Sequence, residues 1–214
     1  MKRIVRKGLV VTGLAVGIFG GLAHAESGAP HWSYEGHVGP AHWGELAAEF
    51  STCGTGKNQS PVDLSGMVEG ELPAITFAYQ AKGSQIINNG HTIQVNYDAG
   101  SHISVDGRSF ELKQFHFHSP SENTMSAKHF PLEGHFVHAD ANGNLAVISV
   151  MYQEGAQNSE LEKAWSHMPT KASETSPLAP AVDAAALLPA NRDYYRFSGS
   201  LTTPPCSEGV IWLV

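Results

Sequence analysis

Residues able to do chemistry gather in two short stretches, Gln114-Phe115-His116-Phe117-His118 and Glu133-Gly134-His135-Phe136-Val137-His138. As a β-strand, the first places Gln114, His116 and His118 on one face and Phe115 and Phe117 on the other. Two imidazoles two residues apart on one face lie roughly 7 Å apart, so one ion can reach both. The second stretch alternates as well, with Glu133, His135 and Val137 sharing a face. If the strands are neighbours, His135 completes a cluster of three. Three neutral imidazoles leave a tetrahedral zinc one open position, the arrangement of a catalytic site. Gln114 and Glu133 each precede a histidine by two residues on that histidine's face. A metal-bound imidazole needs its second ring nitrogen held by an oxygen, and both side chains offer one. Alone, a His-x-His strand is more often a wet or core strand than a metal site; these two acceptors shift the balance.

The two stretches occur with Ser121-Glu122, Ser200-Leu201-Thr202-Thr203-Pro204-Pro205-Cys206, Asn88-Asn89-Gly90-His91 and Gln59-Ser60-Pro61-Val62-Asp63. In this combination and order the sequence resembles the α-class carbonic anhydrases, from about Trp32 to the last residue. The resemblance implies a large, twisted, mostly antiparallel central sheet with short peripheral helices. It implies Zn2+ on His116, His118 and His135, and reversible hydration of carbon dioxide to bicarbonate and a proton by a zinc-bound hydroxide. Thr202 would accept a hydrogen bond from that hydroxide and donate one to Glu122, whose ionised carboxylate can only accept. Taken alone, Thr202 is an ordinary turn residue and Glu122 a surface acid. Val137, Val147, Leu201, Val210 and Trp212 would form an apolar substrate wall. Tyr34, Asn89, His91, Gln94 and Thr203 would order water opposite, with Thr203 at the substrate pocket. His91 matches the position that carries protons to solvent, where a histidine titrates in the useful range. The resemblance also implies cis peptide bonds at Ser60-Pro61 and Pro204-Pro205. Bacterial members are often dimers, which implies a homodimer.

These side chains need a scaffold. The chain has 214 residues, enough for one domain with a full core. Residues 1–25 read as a signal peptide: Lys2, Arg3, Arg6 and Lys7 precede an apolar, glycine-interrupted run that closes on Ala23-His24-Ala25. A membrane anchor would want a longer run. Its removal takes the formal charge from −7 to about −11, a surface with no basic run. That balance argues against nucleic acid and anionic membranes as partners; the resemblance implies a small-molecule substrate, carbon dioxide or bicarbonate. Export to the periplasm or outside makes Cys53 and Cys206, the only cysteines, a disulfide pair. The bridge would close a loop of about 150 residues, worth at most about 5 kcal/mol, and would brace the Thr202 loop.

The remaining sequence reads as one mainly β domain over residues 26–214. Trp32 and Trp43 make a small satellite core, with a short helix over residues 41–50 and a loop over 52–61. Residues 91–98 alternate as a strand; Asp98-Ala99-Gly100-Ser101, Asp106-Gly107 and Asn142-Gly143 are hairpin turns. Residues 159–168 read as a helix capped by Ser159. Residues 170–180 read as loop, and 181–188 as a second short helix. His138 falls on the face away from the other histidines and is structural. The chain stops within an apolar strand at Val210–Val214, so the domain is expected to lack its C-terminal strand or strands. An open edge on the last strand and no carbonyl partner for His118 would follow.

A competing reading is a catalytically silent or zinc-carrying periplasmic binding protein of the same fold. Silent relatives usually lose a ligand histidine, and none is lost here. A carrier needs neither Thr202, Glu122 and His91 nor a half-apolar pocket. A zinc hydrolase would want a carboxylate base beside the metal, and these motifs offer none.

Overall fold

A computed structural model describes residues 30–214. The signal-peptide reading of residues 1–25 lies outside the described residues. Ten strands form one sheet: β1 (Thr76–Ala78), β2 (Gly83–Asn88), β3 (Ile93–Tyr97), β4 (His102–Val105), β5 (Arg108–His118), β6 (Leu132–Ala139), β7 (Leu145–Tyr152), β8 (Thr175–Val182), β9 (Arg196–Ser200) and β10 (Glu208–Leu213). Their spatial order is β8-β2-β3-β5-β6-β7-β10-β9, with β4 on the early half of β5 and β1 on β4. Every pairing is antiparallel except β10 on β7. The last strand is no open edge: β10 lies between β7 and β9. Among the described residues no helix is long and apolar enough to cross a membrane.

The pivot is β5, which changes phase partway along. Phe110 and Leu112 point into the core, and so do Phe115 and Phe117. The two pairs are out of step by one residue, which a bulge between Leu112 and Gln114 absorbs against β6. Without it, the alternation set by Phe110 and Leu112 would carry the histidines into the core. Phe115 is fully buried against Phe136, at 5.2 Å between ring centroids, and against Tyr97 at 6.1 Å. Burying a ring of this size is worth about 1.5–3 kcal/mol, so the core holds the phase that turns the histidines outward.

Elsewhere the structure departs from the sequence reading in detail. Residues 40–50 break into short turns around α1 (Trp43–Leu46), and α2 (Thr52–Thr55) forms where a loop is expected. Helix α3 (Ser159–Trp165) is capped by Asn158, whose side chain accepts from the Glu160 and Leu161 amides, rather than by Ser159. The expected loop over 170–180 holds β8, an outer strand on β2 that tolerates Pro177 and Pro180 because one of its sides needs no ladder partner. The expected second helix is a single turn, Ala184–Leu187.

Candidate metal centre and its cavity

Strand register brings the three histidines together. His116 on β5 lies directly opposite His135 on β6, and His118 opposite Glu133. Ring centroids are 5.0 Å apart for His116–His118, 5.3 Å for His116–His135 and 4.6 Å for His118–His135. One nitrogen from each lies within 4.8 Å of the others, a set that could hold one metal ion.

The outer ring atoms decide which nitrogens face inward. His116 Nδ1 is 2.8 Å from Gln114 Oε1, which leaves Nε2 for the cluster. His135 Nε2 lies 2.9 Å from Glu133 Oε1, close but too bent for an aligned hydrogen bond, which leaves Nδ1. His118 Nδ1 is 3.4 Å from Glu122 Oε1, and its Nε2 is buried without a partner. A buried, unpartnered ring nitrogen beside two other imidazoles fits a metal ion better than it fits an empty core. Burial, and then the neighbouring rings, push His116 well below its ordinary range and His118 down to about 3. Both therefore stay neutral, the form that ligates.

Glu133 is fully buried. It accepts from the amides of Glu122 at 2.7 Å and Asn123 at 2.9 Å, from Asn123 Nδ2 at 2.7 Å and from Ser149 Oγ at 2.5 Å. Burial alone would raise this carboxyl, but His135 and these donors bring it to about 2. Glu122 behaves differently. Burial raises it above the usual carboxylate range, against the pull of His135 and of the Thr202 hydroxyl. Its Oε2 is buried and has no aligned hydrogen bond.

The histidines sit in the wall of a cavity of about 220 Å³. Apolar Val137, Val147, Leu201 and Trp212 line it together with polar Tyr34, Asn89, His91, Gln94, Thr202 and Thr203. Val210, expected in the apolar wall, is buried in the cluster behind it with Val147 and Trp212. His91 rides the turn after Asn89, whose Oδ1 accepts from the amides of His91 and Thr92 at 2.9 Å each. Its ring stacks on Trp32 at 3.7 Å and 7°. Burial, then His31, lowers its pKa. Trp32 is thus part of the site, which the satellite-core reading missed; no spacing ties it to His91.

Cys53 and Cys206 are bridged, with Cα atoms 5.0 Å apart. Ser60-Pro61 and Pro204-Pro205 are cis, as are Ser119-Pro120 and Ala179-Pro180. His138 lies on the far face, fully buried, with Nε2 2.7 Å from Tyr79 Oη and Nδ1 3.3 Å from the Ala146 carbonyl.

A large mixed sheet carrying three converging imidazoles in a half-apolar cavity is the architecture of the α-class carbonic anhydrases. The chain belongs to the eukaryotic-type carbonic anhydrase family, whose model matches residues 38–214. It is 52% identical over 184 residues to a carbonic anhydrase of Pectobacterium carotovorum, covering 86% of this chain and 75% of that protein. It is 50% identical over 202 residues to one of Neisseria gonorrhoeae, covering 94% and 79%. Among solved structures it superposes on an α-carbonic anhydrase of Thermovibrio ammonificans in complex with sulfanilamide at TM-score 0.86 and 50% identity, covering 87% of this chain and 84% of that one. A hyperthermostable carbonic anhydrase from a hydrothermal vent chimney gives 0.84 and 58%, covering 86% and 82%.

Proposed function

We propose that this protein catalyses the reversible hydration of carbon dioxide with zinc held by His116 Nε2, His118 Nε2 and His135 Nδ1. The observation that carries this reading is the convergence of three imidazole nitrogens, with Gln114 and Glu133 oxygens at the outer nitrogens of two of the rings, in a cavity lined by both apolar and polar side chains. When bound, zinc supplies Lewis acidity that lowers the pKa of coordinated water to about 7 in this enzyme class.

The chain's own residues do the rest. Val137, Val147, Leu201 and Trp212 offer carbon dioxide a dry surface, since an apolar substrate gains nothing from polar neighbours. Thr202 aims the attacking oxygen's lone pair: its hydroxyl has one proton to give and gives it to Glu122, so toward the cluster it can only accept. Glu122 performs this role as a carboxylate. Tyr34, Asn89, Gln94 and Thr203 order water on the polar wall. His91 takes the product proton at its ring nitrogen and releases it to solvent. The disulfide supports export of the chain to an oxidising compartment.

The test is exchange of oxygen-18 between labelled bicarbonate and water, followed by mass spectrometry on the zinc-loaded protein. Catalysed depletion of the label that ceases on chelation is expected. A zinc carrier or silent relative would bind the metal and leave the label at the uncatalysed rate.

A further inference from the structure

The turn over residues 201–207 carries Thr202 and is short of internal support. Within it, Cys206 N donates to Thr203 O at 2.8 Å and Leu201 N to Ser207 O at 3.0 Å. Ser200 Oγ donates to the Leu201 carbonyl at 2.8 Å, and the remaining hydrogen bond to its backbone and the covalent link to the turn come from residues 53–60. The disulfide reaches Cys206 through Cys53 on α2. A second connection reaches the same residue through its backbone. Gln59 Nε2 donates at 3.1 Å to the Cys206 carbonyl and at 3.1 Å to Glu208 Oε1. That oxygen also accepts from the amides of Lys57 at 2.5 Å and Asn58 at 2.6 Å.

Two backbone features shape this contact. A bulge at Gly209, with φ +87°, puts one extra residue between the Glu208–Ser200 and Val210–Gly199 pairs and turns Glu208 toward the 56–59 loop. Gly56 admits the carboxylate: a Cβ there would lie 2.6 Å from Glu208 Oε1.

We propose that Glu208 is a positioning residue for Thr202, acting through Gln59 and the Cys206 carbonyl as a noncovalent partner to the disulfide. The proposal rests on the reading of Thr202 as the group that aims the attacking oxygen. Glu208 touches neither the cavity nor the three histidines. A hydroxyl that must face Glu122 on one side and the reacting oxygen on the other tolerates little displacement, because a misplacement of about 1 Å can cost 10²-fold in rate. Two anchors meeting on one residue should also share the load, so that losing either costs less than losing both.

The experiment uses the full zinc-loaded protein as parent, Glu208→Ala, Glu208→Gln and Gly56→Ala. Three quantities are measured: kcat/KM and kcat for carbon dioxide hydration, zinc stoichiometry, and amide hydrogen exchange at Cys206. Glu208→Ala and Gly56→Ala should each lower kcat/KM about tenfold. The response of kcat to added imidazole and the zinc content should not change, and exchange at Cys206 should quicken. Glu208→Gln should recover most of the rate, since its amide oxygen accepts the same backbone bonds. Removing the disulfide in the Glu208→Ala background should cost more than the product of the separate losses. Unchanged kcat/KM in Glu208→Ala with faster exchange at Cys206 would reduce Glu208 to a structural role. Unchanged exchange would show that it does not hold the turn at all. If the parent itself shows no hydration, the functional reading fails instead, and exchange at Cys206 still decides whether Glu208 fixes the turn.

Discussion

At His116 and His135 a side-chain oxygen stands against the ring nitrogen that faces away from the cluster. Glu133 has the strongest case. Its carboxylate is buried, carries four hydrogen bonds from Glu122, Asn123 and Ser149, and still faces His135 Nε2. Glu133→Gln puts an NH2 group where donors now converge and removes the charge that holds the His135 ring. Zinc affinity should fall about 10- to 100-fold, read by competition against a chelator; an unchanged affinity would show that strand register alone orients His135. In the proposed cycle His91 acts in the other half. His91→Ala should slow steady-state hydration in weak buffer while leaving zinc content intact, and imidazole should restore the rate. The stack on Trp32 adds a second readout. Burial holds the His91 pKa below its ordinary value, so Trp32→Ala should raise it, and an NMR titration of the His91 ring that stays put would contradict the stack.

The element that matters most is β5, because its bulge separates a core phase from a site phase. Phe115 fixes that phase from the core side. Phe115→Ala should cost about 3–5 kcal/mol, measured by urea unfolding at neutral pH; a loss under 1 kcal/mol would mean that the site half of β5 is held by hydrogen bonds alone. The site half of β5 was legible in the sequence because Gln114–His118 alternates polar and apolar residues, and β6 because its histidine-bearing stretch could be read with the same period. Gln114 and Glu133 were legible for the same reason, and the Cys53–Cys206 bridge because no other pairing existed. Thr202, Glu122 and His91 were legible only through the family resemblance, since a turn threonine, a loop acid and a loop histidine carry no periodic signal. Strand β8 was hidden by its two prolines, which a protected sheet centre would reject but an outer strand accepts. Trp32 was hidden because its partner His91 lies 59 positions away, and stacking leaves no mark on spacing.

For the molecule as a whole, one buried group outside the site contributes to acid sensitivity. His138 is sealed between Tyr79 and the Ala146 carbonyl, and burial pushes it down to about 4, against hydrogen bonds to the Ala146 and Phe136 backbones that favour its charged form. The unfolded chain would protonate it near 6.5, so the unfolded state binds more protons between those values. This contribution is fully present above pH 6.5 and is lost as pH falls toward 4, by about 3 kcal/mol in all. Urea midpoints at pH 7 and pH 4.5 should separate accordingly, and His138→Gln should narrow the gap; an equal gap in that variant would assign the acid sensitivity to other groups. The same sheet face that buries His138 leaves His116, His118 and His135 on the other, so the core and the site are two faces of one set of strands. The most direct test of the central claim is a zinc titration of the metal-free protein with carbon dioxide hydration followed by stopped flow. Activity should rise linearly and stop at one zinc per chain, and His116→Ala should gain none over that range; hydration in the metal-free protein, or full activity in His116→Ala, would contradict the account.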